Sequence, residues 1–178
     1  MCLLCLYKPH ELEMDELELN NCPYILEIPL LPFIKRLFIL ECDNVQIVKK
    51  SPKIEKIIIA ECPELLEIEE METLQTLVIN NDNKLTSIPF VSTTLKLYNI
   101  NHRLDIPQLN LDFLDIYKCD FLYPSDINKV KSKQSFTIQN RWFGKDNINK
   151  ISKLQKYIKN SKLRRIIRLT HSKEFIEY

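Results

Sequence analysis

Apolar residues return along this chain with a period of 20. Met14, Leu17, Leu19, Cys22, Ile25 and Ile28 form a unit with the spacing LxxLxLxxCxxLxxI. One period on lie Ile34, Leu37, Ile39, Cys42, Val45 and Val48; the next holds Ile54, Ile57, Ile59, Cys62, Leu65 and Ile68. The fourth runs Leu74, Leu77, Ile79, Asp82, Leu85 and Ile88. A shorter fifth unit holds Leu95, Leu97, Ile100, Leu104 and Ile106, and a sixth Leu111, Leu114, Ile116, Cys119 and Leu122. Cys2, Cys5 and Pro9 fall one period before Cys22, Ile25 and Pro29, so the chain opens within a half unit.

The spacing dictates geometry. In LxxLxL the two residues separated by one position share a strand face, and that face points to the core. The later apolar positions bring the chain back over that core. No unit can bury its own apolar face, so the units must stack. Stacking makes a parallel sheet with strands about 4.8 Å apart. Between Ile28 and Ile34 only five residues intervene, too few for a helix of ordinary length. The return side is therefore expected to be extended or single-turn and mostly irregular.

Over roughly residues 2–122 the pattern resembles the leucine-rich-repeat family, in its short class of about 20 residues per repeat. The stretches IPLLPFIKRLFIL and IPFVSTTLKLYNI are similar to the repeats of bacterial effectors, in which a Pro-rich link replaces the convex helix. Similar repeats occur in protist and giant-virus proteins. The resemblance implies a leucine-rich-repeat solenoid with a parallel β-sheet on the concave face, a mostly irregular convex face and ligands met on the concave side. It also brings an analogy with repeat adaptors in ubiquitin transfer, although no F-box-like segment is evident.

The cysteines change little in this picture. Cys2, Cys22, Cys42, Cys62 and Cys119 occupy the ladder position that the family gives to Asn or Cys, where a small soft side chain faces the turn backbone. Cys2 and Cys5 read CxxC, but a zinc site needs four convergent ligands and no second Cys/His pair follows. The expectation is six structural thiols and no metal or other cofactor. MCLLCLYKPHELE has a very short apolar stretch without a basic leader, so it reads as mature sequence, and reduced cysteines imply a cytoplasmic location. No apolar run is long enough for a membrane-spanning helix.

Catalysis finds no support. The only glycine is Gly144, which excludes a Gly-rich phosphate loop. His10, His102 and His171 are far apart, and Cys119 belongs to the ladder instead of to a nucleophile–base pair. The acids Glu67, Glu69, Glu70 and Glu72 fall in links between strands and read as a solvated face. With one glycine and one alanine, tight turns fall to Asn, Asp and Pro.

Binding is the better prospect. The outward strand positions are Glu18, Phe38, Ile58, Val78, Lys96 and Asp115, flanked by Asn20, Leu40, Ala60, Asn80, Tyr98 and Tyr117 on one side. Glu16, Arg36, Lys56, Thr76, Thr94 and Phe113 flank them on the other. Their centre is apolar and their C-terminal part aromatic, as binding surfaces tend to be. Phe38, Leu40, Ile58, Val78, Tyr98 and Tyr117 are the candidate contact residues, for a protein partner or a second copy in a homodimer.

After Leu122 the repeat is lost, and 123–178 is expected to form a capping segment, mainly helical. QSFTIQNRWF (134–143) reads as a last strand or closing turn, and 146–160 carry a helical stripe. Charge divides at this boundary: residues 1–128 hold 11 Lys/Arg against 21 Asp/Glu, and residues 129–178 hold 14 against 3. A basic cap on an acidic solenoid explains the division. So does a nucleic-acid or anionic surface built on Arg141, Lys153, Lys156, Arg164, Arg165 and Arg168.

Overall fold

The computed structural model describes residues 2–80, 84–102, 104–119, 130–138 and 141–144, with side chains through Cys119 and at Val130. Their organising feature is one parallel ladder. Strands β1 (Glu16–Asn20), β3 (Arg36–Leu40), β5 (Lys56–Ala60), β7 (Thr76–Asn80), β8 (Thr94–Tyr98) and β9 (Leu109–Tyr117) follow one another in that order. β10 (Val130–Ile138) adds in parallel to β9, and β11 (Arg141–Gly144) closes the sheet antiparallel to β10. Successive strands are one repeat apart, so Leu17 lies beside Leu37, Leu37 beside Ile57 and Ile57 beside Leu77.

The sheet's inner face is the core. Leu17, Leu19, Leu37, Ile39, Ile57, Ile59, Leu77, Ile79, Leu95 and Leu97 have no accessible surface. The return positions Ile28, Val48, Ile68 and Ile88 close the opposite side. On that side the expected irregular link is partly regular. β2 (Glu27–Ile28), β4 (Ile47–Val48) and β6 (Glu67–Ile68) pair into a second parallel sheet, and a Ser87–Asp105 bridge follows. Strict 20-residue spacing keeps these short extended segments in register, so their backbone groups satisfy one another turn by turn.

Two further departures concern the N-terminal end. Met14 was expected inward with Ile34, Ile54 and Leu74. It is 36% exposed, and Leu12 takes the buried place instead. The half unit forms a single helical turn, α1 (Leu3–Leu6), followed by a 3-10 turn at Pro9–Glu11. Leu3 and Leu4 pack against the core at this end.

At the other end, the strand reading of 134–143 agrees with β10 and β11. The helical reading of 146–160, the ladder position Asp82 and Leu122 lie outside the described residues. Little helix is present in what is described.

Five of the main strands, β1, β3, β5, β8 and β9, are followed at once by a left-handed residue. Asn21, Glu41, Glu61, Asn99 and Lys118 have φ between 48° and 56°. Glycine would fill this role without strain, but this chain has one glycine, elsewhere. The ladder residue follows at once. Cys42 and Cys62 place their thiols against Leu40 O and Ala60 O at 3.3 and 3.4 Å, and Cys119 reaches Tyr117 O at 3.4 Å. These cysteines are turn-bracing thiols, as the repeat spacing implied.

Candidate interaction face

Strand pairing sets the outward residues into three unbroken columns. Glu18, Phe38, Ile58, Val78, Lys96 and Asp115 are successive Cα partners along the sheet. Asn20, Leu40, Ala60, Asn80, Tyr98 and Tyr117 form the second column. The third runs Glu16, Arg36, Lys56, Thr76, Thr94 and Phe113. All six candidate contact residues therefore share one face, with Phe38, Ile58 and Val78 in direct succession.

The six candidate contact residues are half-buried, each shielded by its neighbours on adjacent strands. Several of the charges around them are engaged within the face. Arg36 Nε meets Glu16 Oε2 at 2.7 Å. Lys56 Nζ stands 5.5 Å from the Phe38 ring centroid, and Lys96 Nζ 5.2 Å from that of Phe113. The Tyr98 hydroxyl donates to Asp115 Oδ2 at 2.7 Å. Burial and then this hydrogen bond push the Tyr98 phenol above its ordinary range, so it stays protonated and keeps donating. The centre of the face, Phe38, Ile58 and Val78, is apolar.

The most exposed large apolar side chains lie elsewhere, in the links and the N-terminal helical turn: Tyr24 is 81% exposed, Leu26 58%, Leu6 55% and Leu30 54%. Gln46 separates Leu26 from Leu66, and Lys50 and Glu70 separate Leu30 from Phe90 in the repeat columns. Singly scattered apolar residues are an ordinary surface feature.

Ion pairs tie neighbouring turns together outside the face. Lys35 pairs with Asp15 at 3.2 Å and Lys84 with Glu64 at 2.6 Å. Lys49 Nζ reaches Glu69 at 3.1 Å and Glu27 at 3.9 Å, spanning three turns. The Lys50 N–H and then Lys49 hold the Glu69 carboxyl below the usual range, and Glu69 and then Glu27 raise the Lys49 ammonium. Exposed pairs of this kind contribute little singly.

Of the basic candidates, Arg141 begins β11 opposite Ile138. Its side chain lies outside the described residues, as do Lys153, Lys156, Arg164, Arg165 and Arg168. One grouping went unread in the sequence: Cys22 joins Cys2 and Cys5 in a cluster of three thiols. The signal was available, because Cys2 and Cys22 are one period apart.

Taken together, strand order and register define a parallel-strand β-solenoid whose first turns are 20 residues long and whose later ones are 18 and 19. Compared with protein-family models, curated proteins and solved structures, the chain matches none.

Proposed function

We propose that this chain is a non-catalytic interaction module of the short leucine-rich-repeat class, and that it binds a protein partner on the outer face of the main sheet. The observation that carries this reading is the unbroken apolar succession Phe38–Ile58–Val78, flanked by Leu40 and Ala60. The complementary partner offers apolar anchors to the centre and few charges. Tyr98 and Tyr117, side by side on β8 and β9, extend the contact with hydroxyl groups. Free thiols at all six cysteines support a reducing, cytosol-like setting.

The test is a pair of aspartates at the centre. Phe38→Asp with Ile58→Asp should abolish partner recovery while leaving the circular dichroism spectrum and melting cooperativity in place, because both side chains point away from the core. Unchanged recovery would sink the reading.

A second reading rests on the charge division, with 14 Lys/Arg against 3 Asp/Glu after residue 128. On this reading the C-terminal segment binds nucleic acid, with an affinity that falls steeply with salt. No retention on nucleic acid at low salt would remove it.

A further inference from the structure

Three sulfur atoms meet at the N-terminal end of the solenoid. Cys2 and Cys22 Sγ are 3.1 Å apart, Cys2 and Cys5 3.3 Å, and Cys5 and Cys22 3.5 Å. They form a nearly equilateral triangle from parts of the chain with different constraints. Cys2 caps α1 and Cys5 lies within it, so a spacing of three on one helical turn sets both sulfurs on one side. Cys22 comes from the ladder position of the first full turn, stacked on Cys2 by the repeat.

Cys22 differs from its ladder equivalents. Cys42, Cys62 and Cys119 turn their thiols toward backbone carbonyls two residues back. The Cys22 sulfur instead faces two other thiols. A shallow recess of about 270 Å³ opens beside the cluster, lined by Cys2, Cys22, Glu18, Asn20 and Tyr24 among others, which gives an ion a way in.

We infer that Cys2, Cys5 and Cys22 form a binding site for a thiophilic closed-shell metal ion, Zn(II) or Cu(I), held by three thiolates. Soft sulfur donors without a nearby imidazole favour these ions over harder ones. Three thiolates complete a trigonal Cu(I) site. They leave one position open on tetrahedral Zn(II). With Zn–S bonds of about 2.3 Å, tetrahedral sulfurs stand about 3.8 Å apart. To reach that spacing the Cys2–Cys22, Cys2–Cys5 and Cys5–Cys22 pairs, now 3.1, 3.3 and 3.5 Å apart, open by about 0.7, 0.5 and 0.3 Å, with the half-buried Cys2 and the exposed Cys5 shifting against the buried Cys22. Binding replaces three S–H bonds by three metal–sulfur bonds and releases three protons to solvent, so affinity rises with pH. No oxidant is required. A disulfide would use two of the sulfurs, leave the third over, and need an oxidant.

The experiment uses the full chain, reduced and metal-free, under anaerobic conditions. Zn(II) is titrated against a chromophoric zinc chelator, and Cu(I) in a separate arm against a Cu(I) chelator. Co(II) serves as a spectroscopic probe of the zinc arm. One ion per chain is expected in at least one arm, with thiolate-to-cobalt charge transfer scaled to three sulfurs if zinc is the ion. Cys5→Ser removes an exposed sulfur without disturbing the core. It should weaken binding by at least about a hundredfold, since loss of a mere outer-shell partner already costs 10–100-fold. Cys119→Ser should bind as the unchanged chain does. Failure of both ions to bind would overturn the proposal, and so would unaltered affinity in a folded Cys5→Ser variant.

Discussion

The hydroxyl of Ser51 accepts the backbone N–H of Leu31 at 2.9 Å, from one turn of the solenoid to the next. Ser51 is 1% exposed and is the one buried polar side chain among the described residues. Its column equivalents, Leu31, Met71 and Val91, are apolar and buried. The hydroxyl also donates to Lys49 O at 3.3 Å, so it takes a place in the backbone hydrogen bonding between turns. Ser51→Ala should strand the Leu31 N–H in the core and cost about 1–3 kcal/mol. Ser92→Ala, at an exposed position, should stay within about 0.5 kcal/mol. Urea unfolding of the two variants makes the comparison; equal midpoints would show that the bond contributes nothing.

The left-handed turn residues give a prediction of opposite sign. Glu41 and Glu61 sit at φ 51° and 56°, where a Cβ costs about 1–2 kcal/mol. Glycine removes that cost but gains freedom in the unfolded chain, so Glu61→Gly should stabilise by roughly 0.5–1 kcal/mol net. Glu61→Val, β-branched at the same angle, should destabilise. The Glu61 N–H donates to Asn80 O at 3.2 Å, so proline is excluded there as well. Thermal melts that rank valine above glycine would refute the assignment of strain.

Alkaline pH should weaken the fold through its ladder. Burial pushes the Cys62 thiol from 9.0 to about 11 and raises Cys42 in the same direction. A raised thiol pKa means the folded chain keeps a proton that the unfolded chain gives up. The contribution is therefore whole below pH 9 and is lost as pH climbs from about 9 to about 11. The expected loss for Cys62 is on the order of 1–2 kcal/mol. Tyr98, raised by burial and by Asp115, adds the same sign above pH 10. Chemical denaturation across this window should show falling stability, with a shallower slope in Cys62→Ala. A flat profile in the unchanged chain would contradict the burial of these thiols.

Most of the architecture was legible because the period was strict. Leu17, Leu37, Ile57 and Leu77 had to share a face once their spacing was seen, and the three outward columns followed from the same count. Met14 misled because the pattern fixes spacing, not neighbours: at the first turn Leu12 fills the core place that later turns give to Ile34 and Ile54. The second sheet was missed because two-residue strands such as Ile47–Val48 carry no alternation to read. They form only because β2 and β6 lie on either side. The thiol cluster was missed for a different reason. CxxC was weighed along the chain, whereas its third ligand lies one turn up the stack. Charge segregation was visible throughout, but how the basic segment meets the solenoid is not a property of composition.

The central claim is that the Phe38–Ile58–Val78 succession is where a partner sits. The most direct test compares the unchanged chain with the Phe38→Asp, Ile58→Asp variant as baits in an extract of the native source, quantifying recovered proteins by mass spectrometry. A variant with Tyr24 and Leu26 replaced by Ser serves as the control for scattered apolar exposure. The account predicts a partner recovered by the unchanged chain and by the control, and lost from the aspartate variant, with all three baits equally folded. Retention of the same partner by the aspartate variant would contradict it.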